Sequence, residues 1–398
     1  MGRMRMTLLL LLATILAACG GATQTAAPAA TDAAPAATDA AAPTSAAAAP
    51  TSASGGDAMA VDKSKLSAEL HWYNWTDYVD PVVIADFEKE YGVKVIIDLY
   101  DANEDMIAKV RAGGSGYDIV TPSDYAVETM WRSDLLAPLD KTMLSNLTHN
   151  DPQLLSKYFD DGNKYSVPYM YGISGIAYSK KSFPNGIDSW AALFDPAQLE
   201  KYKNQVSMLD DERETPGAAL RYAGTSLNST DAADQAKAKA LLLAQKPFLA
   251  AYNSSDVNRK LASGEYVIAH AWSGMAMQAR NGLGEDFQGN PDIEFVMPKE
   301  GGMIWMDNMA VLKDSPNAYT AHVFMNFMMR PEIAARNASY IGYLNPNKDG
   351  LPLMDQKVRD LYAAGFAPDA EMYKRLEWAV RNETTSVFTD LWTAIKGQ

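Results

Sequence analysis

Cys19 is the only cysteine in this chain, so no intramolecular disulfide can form and no second thiol is present to act as a nucleophile or share a metal. Histidine is nearly as scarce: His71, His149, His270 and His322 are scattered, with no i, i+4 pair of the zinc-binding kind. Neither a Walker loop nor a dinucleotide fingerprint occurs. Gly113-Gly114-Ser115-Gly116 precedes a strand-like run rather than a helix, which rules out a phosphate cradle. Gly172-Ile173-Ser174-Gly175 falls short of the nucleophile elbow. No spaced acids follow Asp160-Asp161-Gly162-Asn163, so it reads as a turn rather than a calcium loop. Positive charge is also short. With 35 Lys and Arg against 49 Asp and Glu the net charge is −14, which disfavours nucleic acid and suits a cationic ligand. Little is left for catalysis, and neither a cofactor nor a metal is expected.

The N-terminus carries an address. Arg3 and Arg5 precede the apolar run Leu8 to Leu12 and on to Ile15, followed by Leu16-Ala17-Ala18-Cys19-Gly20. This is a secretory signal with a charged start, too short to span a membrane as a mature helix. Its ending resembles the bacterial lipobox, which implies signal peptide 1–19, lipidation at Cys19, and a mature protein anchored in the periplasm or on the outer face of the cell membrane. Stable anchoring of that kind takes two acyl chains or more. Residues 20–61 are almost wholly Ala, Pro, Thr and Ser, a composition that cannot offset its own ordering entropy and serves as a tether. Only Arg3, Arg5, Asp32, Asp39 and Asp57 carry charge in residues 1–61, so the acidity belongs to the folded part.

Beyond the tether, hydrophobic periodicity switches repeatedly between two and about 3.6 residues. Ala68 to Tyr73 reads as a strand, and Asp80-Pro81 as the N-cap and first position of a helix that Gly92 stops. Val93 to Leu99 is a second strand, Asn103 opens a second helix, Tyr117 to Val120 is a third strand, and Pro122-Ser123-Asp124 opens another helix. This alternation predicts βαβ units around a parallel sheet, with ligand sites beyond the strand C-terminal ends. Tyr165 to Tyr178 is long for one strand and suits a crossing between lobes. A second α/β region follows, with strands at Val206 to Leu209, Tyr266 to Ala271 and Ile293 to Met297. At 398 residues and 47% hydrophobic, the chain can build two cores, and the expected architecture is two α/β lobes joined by more than one crossing.

The binding vocabulary gathers at predicted strand ends. His71 to Val79 packs Trp72, Tyr73, Trp75 and Tyr78 around Asn74, Thr76 and Asp77, and Ser123 and Tyr125 follow the third strand. Asp211 and Glu214 fall three apart at a helix start, on one face. Trp272 ends a strand, Trp305 and Asp307 pair a ring with a carboxylate, and Tyr343 adds another ring. Each alone is as readily core or solvated helix end, but together they provide ring faces and acids for an organic cation.

The segments YNWTDYV (73–79), YDIVTPSDY (117–125), NKYSVPYMYG (163–172), LDDERE (209–214), PKEGGMIWMDNMA (298–310) and RPEIA…IGY (330–343) resemble, in order, the spermidine/putrescine-binding proteins, the substrate-capture components of polyamine ABC importers. The resemblance implies a type II periplasmic binding protein: two α/β lobes with a hinge and an interlobe ligand cleft. Residues 66–172 plus 307–350 would form the first lobe, and 177–302 plus 352–398 the second. It implies ligand contacts at Trp75, Thr76, Asp77, Tyr78, Ser123, Tyr125, Asp211, Glu214, Ser254, Trp272, Trp305, Asp307 and Tyr343. Among these, Asp77, Asp211, Glu214 and Asp307 would take the amines and the rings would wall the methylenes. Permease subunits of the importer are the implied partners, and a monomer is expected. Tyr125, Glu214 and Trp305-Met306-Asp307 resemble the spermidine-preferring branch, although Ala379 stands where that branch has glutamine; putrescine remains open. A receptor for another cation such as thiamine, a surface enzyme acting on a cationic substrate, or a sensory role would be the alternatives.

Overall fold

The computed structural model describes residues 60–113, 115–381 and 385–397. The expected signal peptide, the expected lipidation site at Cys19 and nearly all of the expected tether lie outside the described residues. Among the described residues no helix is long and apolar enough to cross a membrane.

One ten-stranded sheet runs through the structure in the order β2 (Lys94–Tyr100), β1 (Glu69–Trp75), β3 (Ile119–Val120), β11 (Gly302–Val311), β4 (Ser166–Ser179), β7 (Ile268–Trp272), β5 (Val206–Met208), β6 (Leu249–Tyr252), with β10 (Ile293–Val296) beside β4 and β12 (Leu376–Trp378) beside β11. Its left part is β1 (Glu69–Trp75), β2 (Lys94–Tyr100) and β3 (Ile119–Val120), which pair in parallel. Its right part is β5 (Val206–Met208), β6 (Leu249–Tyr252) and β7 (Ile268–Trp272), also parallel. Between them lie two long strands, β4 (Ser166–Ser179) and β11 (Gly302–Val311), antiparallel to each other and to their outer neighbours. The short strands β8 (Gly282–Leu283) and β9 (Phe287–Gln288) form a separate hairpin, while β10 (Ile293–Val296) and β12 (Leu376–Trp378) extend the sheet. The expectation of βαβ units and a parallel sheet therefore holds within each half, and antiparallel crossings replace it in the middle.

The crossing strands are what unite the halves. The first part of β4, Ser166 to Ile173, pairs with β11, and the second part, Ser174 to Tyr178, pairs with β7. Asp160 sets the entry into β4: its carboxylate accepts from the backbone N–H groups of Lys164, Tyr165 and Ser166 and from the Ser166 hydroxyl, at 2.8–3.2 Å. The β4–β11 pairing shifts register opposite Asp307 and Asn308, which pair with Met170 and Pro168, so the extra, bulged residue is Tyr169 of β4. The largest core cluster packs Trp72, Phe87, Phe324 and Phe327 under the left part of the sheet, and a second packs Trp190, Phe194 and Phe388 under the right.

Local chemistry set several boundaries as expected. Asp80 caps the helix Pro81–Tyr91 by accepting from Val82 N at 2.9 Å, and Gly92 ends it at φ 72°, a conformation that costs glycine little. The Asp80 carboxylate also accepts from Arg336 Nε at 2.9 Å. Asp80→Ala is expected to remove about 1–2 kcal/mol of stability, lowering the melting temperature in a thermal unfolding experiment by a few degrees.

Candidate functional site

Every parallel strand of both halves ends at one cavity of about 310 Å3. Its lining comes from the loops beyond β1, β2 and β3 on one side and beyond β5, β6 and β7 on the other, with β11 forming the floor. This is where an open α/β sheet places ligands, because the loops diverge there and leave a crevice. The volume falls in the range of small-molecule sites.

Asp307 is the centre of the floor. It is 6% exposed; Oδ2 accepts from the Tyr78 hydroxyl at 2.7 Å and Oδ1 from the Ser123 hydroxyl at 2.6 Å. Tyr78 is held in turn, since the Tyr169 hydroxyl donates to its carbonyl at 2.6 Å and Asn337 Nδ2 donates to that hydroxyl at 2.9 Å. Ser123 is held by Asn103, which donates from Nδ2 to its Oγ at 3.0 Å and accepts its N–H at 3.2 Å. Despite the two hydrogen bonds that favour its anion, burial pushes the Asp307 carboxyl up to about 6. Among the described residues no cation lies within ion-pair distance of it.

The opposite wall carries Asp211 and Glu214. The helix Glu214–Tyr222 begins one turn after β5, so Asp211 lies in the preceding loop rather than on the helix face. Its Oδ1 accepts from the N–H groups of Arg213 (2.7 Å) and Glu214 (2.9 Å), capping the helix. Burial, with the neighbouring Glu214 charge, raises the Asp211 carboxyl to about 6. Glu214 is 5% exposed and its Oε1 accepts from the Ser174 hydroxyl at 2.7 Å and Trp272 Nε1 at 2.8 Å. Arg213 does not neutralise these acids: its guanidinium turns away to the Val380 carbonyl and Asn228.

Rings line the rest of the cavity. Trp272 and Trp305 meet at 6.2 Å, Trp305 and Tyr343 at 5.6 Å, and Tyr343 and Tyr78 at 4.9 Å, all edge to face. Two glycines make this possible. A Cβ at Gly172 would stand 2.3 Å from the Trp305 ring, and one at Gly274 would stand 2.4 Å from Tyr343. Trp75 sits on Tyr100 at 4.5 Å and donates from Nε1 to the Thr121 carbonyl, while the Thr76 hydroxyl bonds Asp101 Oδ1 at 3.0 Å. Ser254 Oγ accepts from Asp210 N at 2.9 Å, tying together the loops beyond β5 and β6.

Of the thirteen residues expected at the site, twelve line this one cavity: Trp75, Thr76, Tyr78, Ser123, Tyr125, Asp211, Glu214, Ser254, Trp272, Trp305, Asp307 and Tyr343. Asp77 does not. It occupies the left-handed region at φ 55°, so its carboxylate leaves the lining and pairs with Arg259 Nη2 at 3.1 Å. The cavity also contains groups the sequence had not singled out: Asn103, Glu104, Asp124, Glu212 and Arg381. Asp124 is buried, and that burial pushes its carboxyl up to about 8. Among the described residues no group of three or more His, Cys, Asp or Glu side chains is arranged to hold a metal ion.

Two lobes sharing crossing strands, with a ring-and-carboxylate cleft at the strand ends, define a solute-binding protein of the type II periplasmic class. Residues 83–360 match the bacterial extracellular solute-binding protein family, and the chain belongs to it. It is 37% identical over 336 residues, 82% of this chain and 93% of the relative, to a putrescine/cadaverine-binding protein of Pseudomonas aeruginosa. It is 38% identical over 78% of this chain and 86% of the relative to a spermidine/putrescine-binding periplasmic protein of Salmonella typhimurium. Among solved structures, a putative spermidine/putrescine ABC transporter protein from Listeria monocytogenes superposes with a TM-score of 0.75 at 38% identity, covering 83% of this chain and 99% of that one. The chain is a binding protein and not an enzyme.

Asp124, Asp211 and Asp307 all hold protons more tightly when folded than a free carboxyl does near pH 4. The folded state therefore binds more protons than the unfolded one above that pH, and stability falls as pH rises through about 6 and then 8. The ligand-free protein is expected to melt at a higher temperature at pH 5 than at pH 8, and Asp307→Asn should reduce that difference. A melting temperature that rises with pH over this range would contradict the assignment.

Proposed function

We propose that this protein captures a polyamine outside the cytoplasmic membrane and hands it to the permease of an ABC importer. The observation that carries the reading is Asp307: a buried carboxylate with both oxygens oriented by hydroxyls, walled by rings and without a described counter-cation. A desolvated carboxylate is costly unless paired, and an ammonium delivered by a ligand supplies that partner. Asp211 and Glu214 across the cleft form a second anionic position, and Trp272, Trp305, Tyr343 and Tyr78 offer ring faces for the methylenes between. Acids at two positions with rings between them match a flexible polymethylene chain bearing an ammonium at each end.

The relatives support the same class, one being a putrescine/cadaverine-binding protein and another a spermidine/putrescine-binding periplasmic protein. The expected contact residues are proposed as the binding set, with Asp77 moved from direct contact to the rim. The lobe boundaries are proposed at 66–172 plus 307–350 and 177–302 plus 352–398, so that two of the three changes of lobe fall within β4 and β11 and the third at 350–352. Anchoring through Cys19 and a monomeric state complete the proposal. The lipobox-like ending supports the anchor.

Calorimetric titration with putrescine and spermidine tests the reading. One-to-one binding is expected, and Asp307→Asn should weaken it by about ten- to a hundredfold, the worth of a charge-assisted hydrogen bond. Tyr343→Leu removes only a ring contact and should cost less. Equal losses would remove the leading role given to the carboxylate, and no heat with either amine would remove the polyamine.

A further inference from the structure

Arg381 brings a cation of the protein's own into the cleft. The backbone leading to it is pinned to the right half of the structure. Asn228 Nδ2 donates to the Trp378 carbonyl at 2.9 Å, Val380 N donates to Asn228 Oδ1 at 2.9 Å, and Arg213 Nη1 donates to the Val380 carbonyl at 2.6 Å. From that fixed point the Arg381 guanidinium lies 3.7 Å from the centre of the Tyr125 ring. Its Nη2 is 3.3 Å from Glu104 Oε1 and its Nη1 is 3.3 Å from Glu212 Oε1. Glu104 belongs to the helix Asn103–Arg111 beyond β2, and Glu212 to the loop beyond β5, so one side chain engages acids from both sides of the cleft.

These contacts are the ones a ligand ammonium would make: a ring face and two carboxylates. They are already satisfied internally. The Tyr125 face expected to wall a methylene chain is covered, and Glu104 and Glu212 are neutralised. Among the described residues Asp307 on one side and Asp211 on the other line the cleft with no Lys or Arg within ion-pair distance, and the adjoining Glu214 has only the buried His270, whose Nε2 lies 3.6 Å from its Oε2.

We propose that Arg381 is a specificity-determining residue, a built-in third cation that ends the cleft and fits it to diamines of the putrescine type over triamines such as spermidine. The inference rests on the polyamine reading of the cavity. A third ammonium would have to approach a guanidinium in a partly desolvated site, where like charges repel strongly, or displace it from the ring and both acids. This reverses the preference for spermidine expected from sequence. It also gives Ala379, two residues before Arg381, a context: a glutamine contact is absent where a charged side chain now closes the site.

The test titrates the full-length protein and its Arg381→Ala and Arg381→Lys variants with putrescine and spermidine, with melting curves to establish that each is folded. The unaltered protein is expected to bind putrescine more tightly. Arg381→Ala should shift the affinity ratio toward spermidine by about tenfold or more, while Arg381→Lys, which keeps the charge, should preserve the original order. If Arg381→Ala does not fold, Arg381→Gln, planar but uncharged, is read in the same way. An unchanged ratio with both amines still bound overturns the role of Arg381 and leaves polyamine capture standing. Tighter binding of spermidine than putrescine by the unaltered protein also overturns it. Absence of binding to either amine removes the reading beneath it.

Discussion

Everything at the cleft depends on keeping carboxylates charged where water is largely excluded. Burying an acid is unfavourable, and the structure partly offsets that by surrounding Asp307, Asp211 and Glu214 with donors that are not cations: the hydroxyls of Tyr78, Ser123 and Ser174, the indole of Trp272, and the helix-start amides. Neutral donors orient a carboxylate without cancelling its charge. The remaining electrostatic demand is left for a ligand to meet. Two nearby cations are directed away from these three acids, Arg213 to Val380 and Asn228, and Lys396 to Asp210.

The ring wall depends on the same economy of space. Trp305 rests where Gly172 has no side chain and Tyr343 where Gly274 has none, so the aromatic surface approaches the backbone of β4 and of the helix Ser273–Asn281 closely. Both glycines serve the cleft through what they leave out. Their neighbours are then free to stack edge to face, presenting ring faces to the cavity.

Much of this was legible because it is local. Asp80-Pro81 and Gly92 bound a helix through capping and a left-handed residue, and the aromatic runs sit at strand ends that periodicity places within a residue or two. Asp77 shows where pattern stops. In sequence it is equivalent to its neighbours Thr76 and Tyr78, but a single left-handed backbone angle sends its carboxylate to Arg259. Arg381 and Glu104 were not readable, since their meeting depends on folding together segments 277 residues apart, and nothing around either in sequence marks a partner. The short strands β6 and β12 escaped for a related reason: a few half-buried residues have no period, and their pairing comes from neighbours far along the chain. The antiparallel centre of the sheet is likewise a property of β4 and β11 together, which neither strand displays alone.

The register shift opposite Asp307 has a mechanical meaning. The extra residue there is Tyr169 of β4, whose hydroxyl holds the Tyr78 carbonyl, while Asp307 stands opposite on β11, which pairs with β3 of the left half and with β4, so the residue that carries the central charge is also part of the joint. A force that reseats the Asp307 side chain acts directly on the twist of that strand, with no intervening lever.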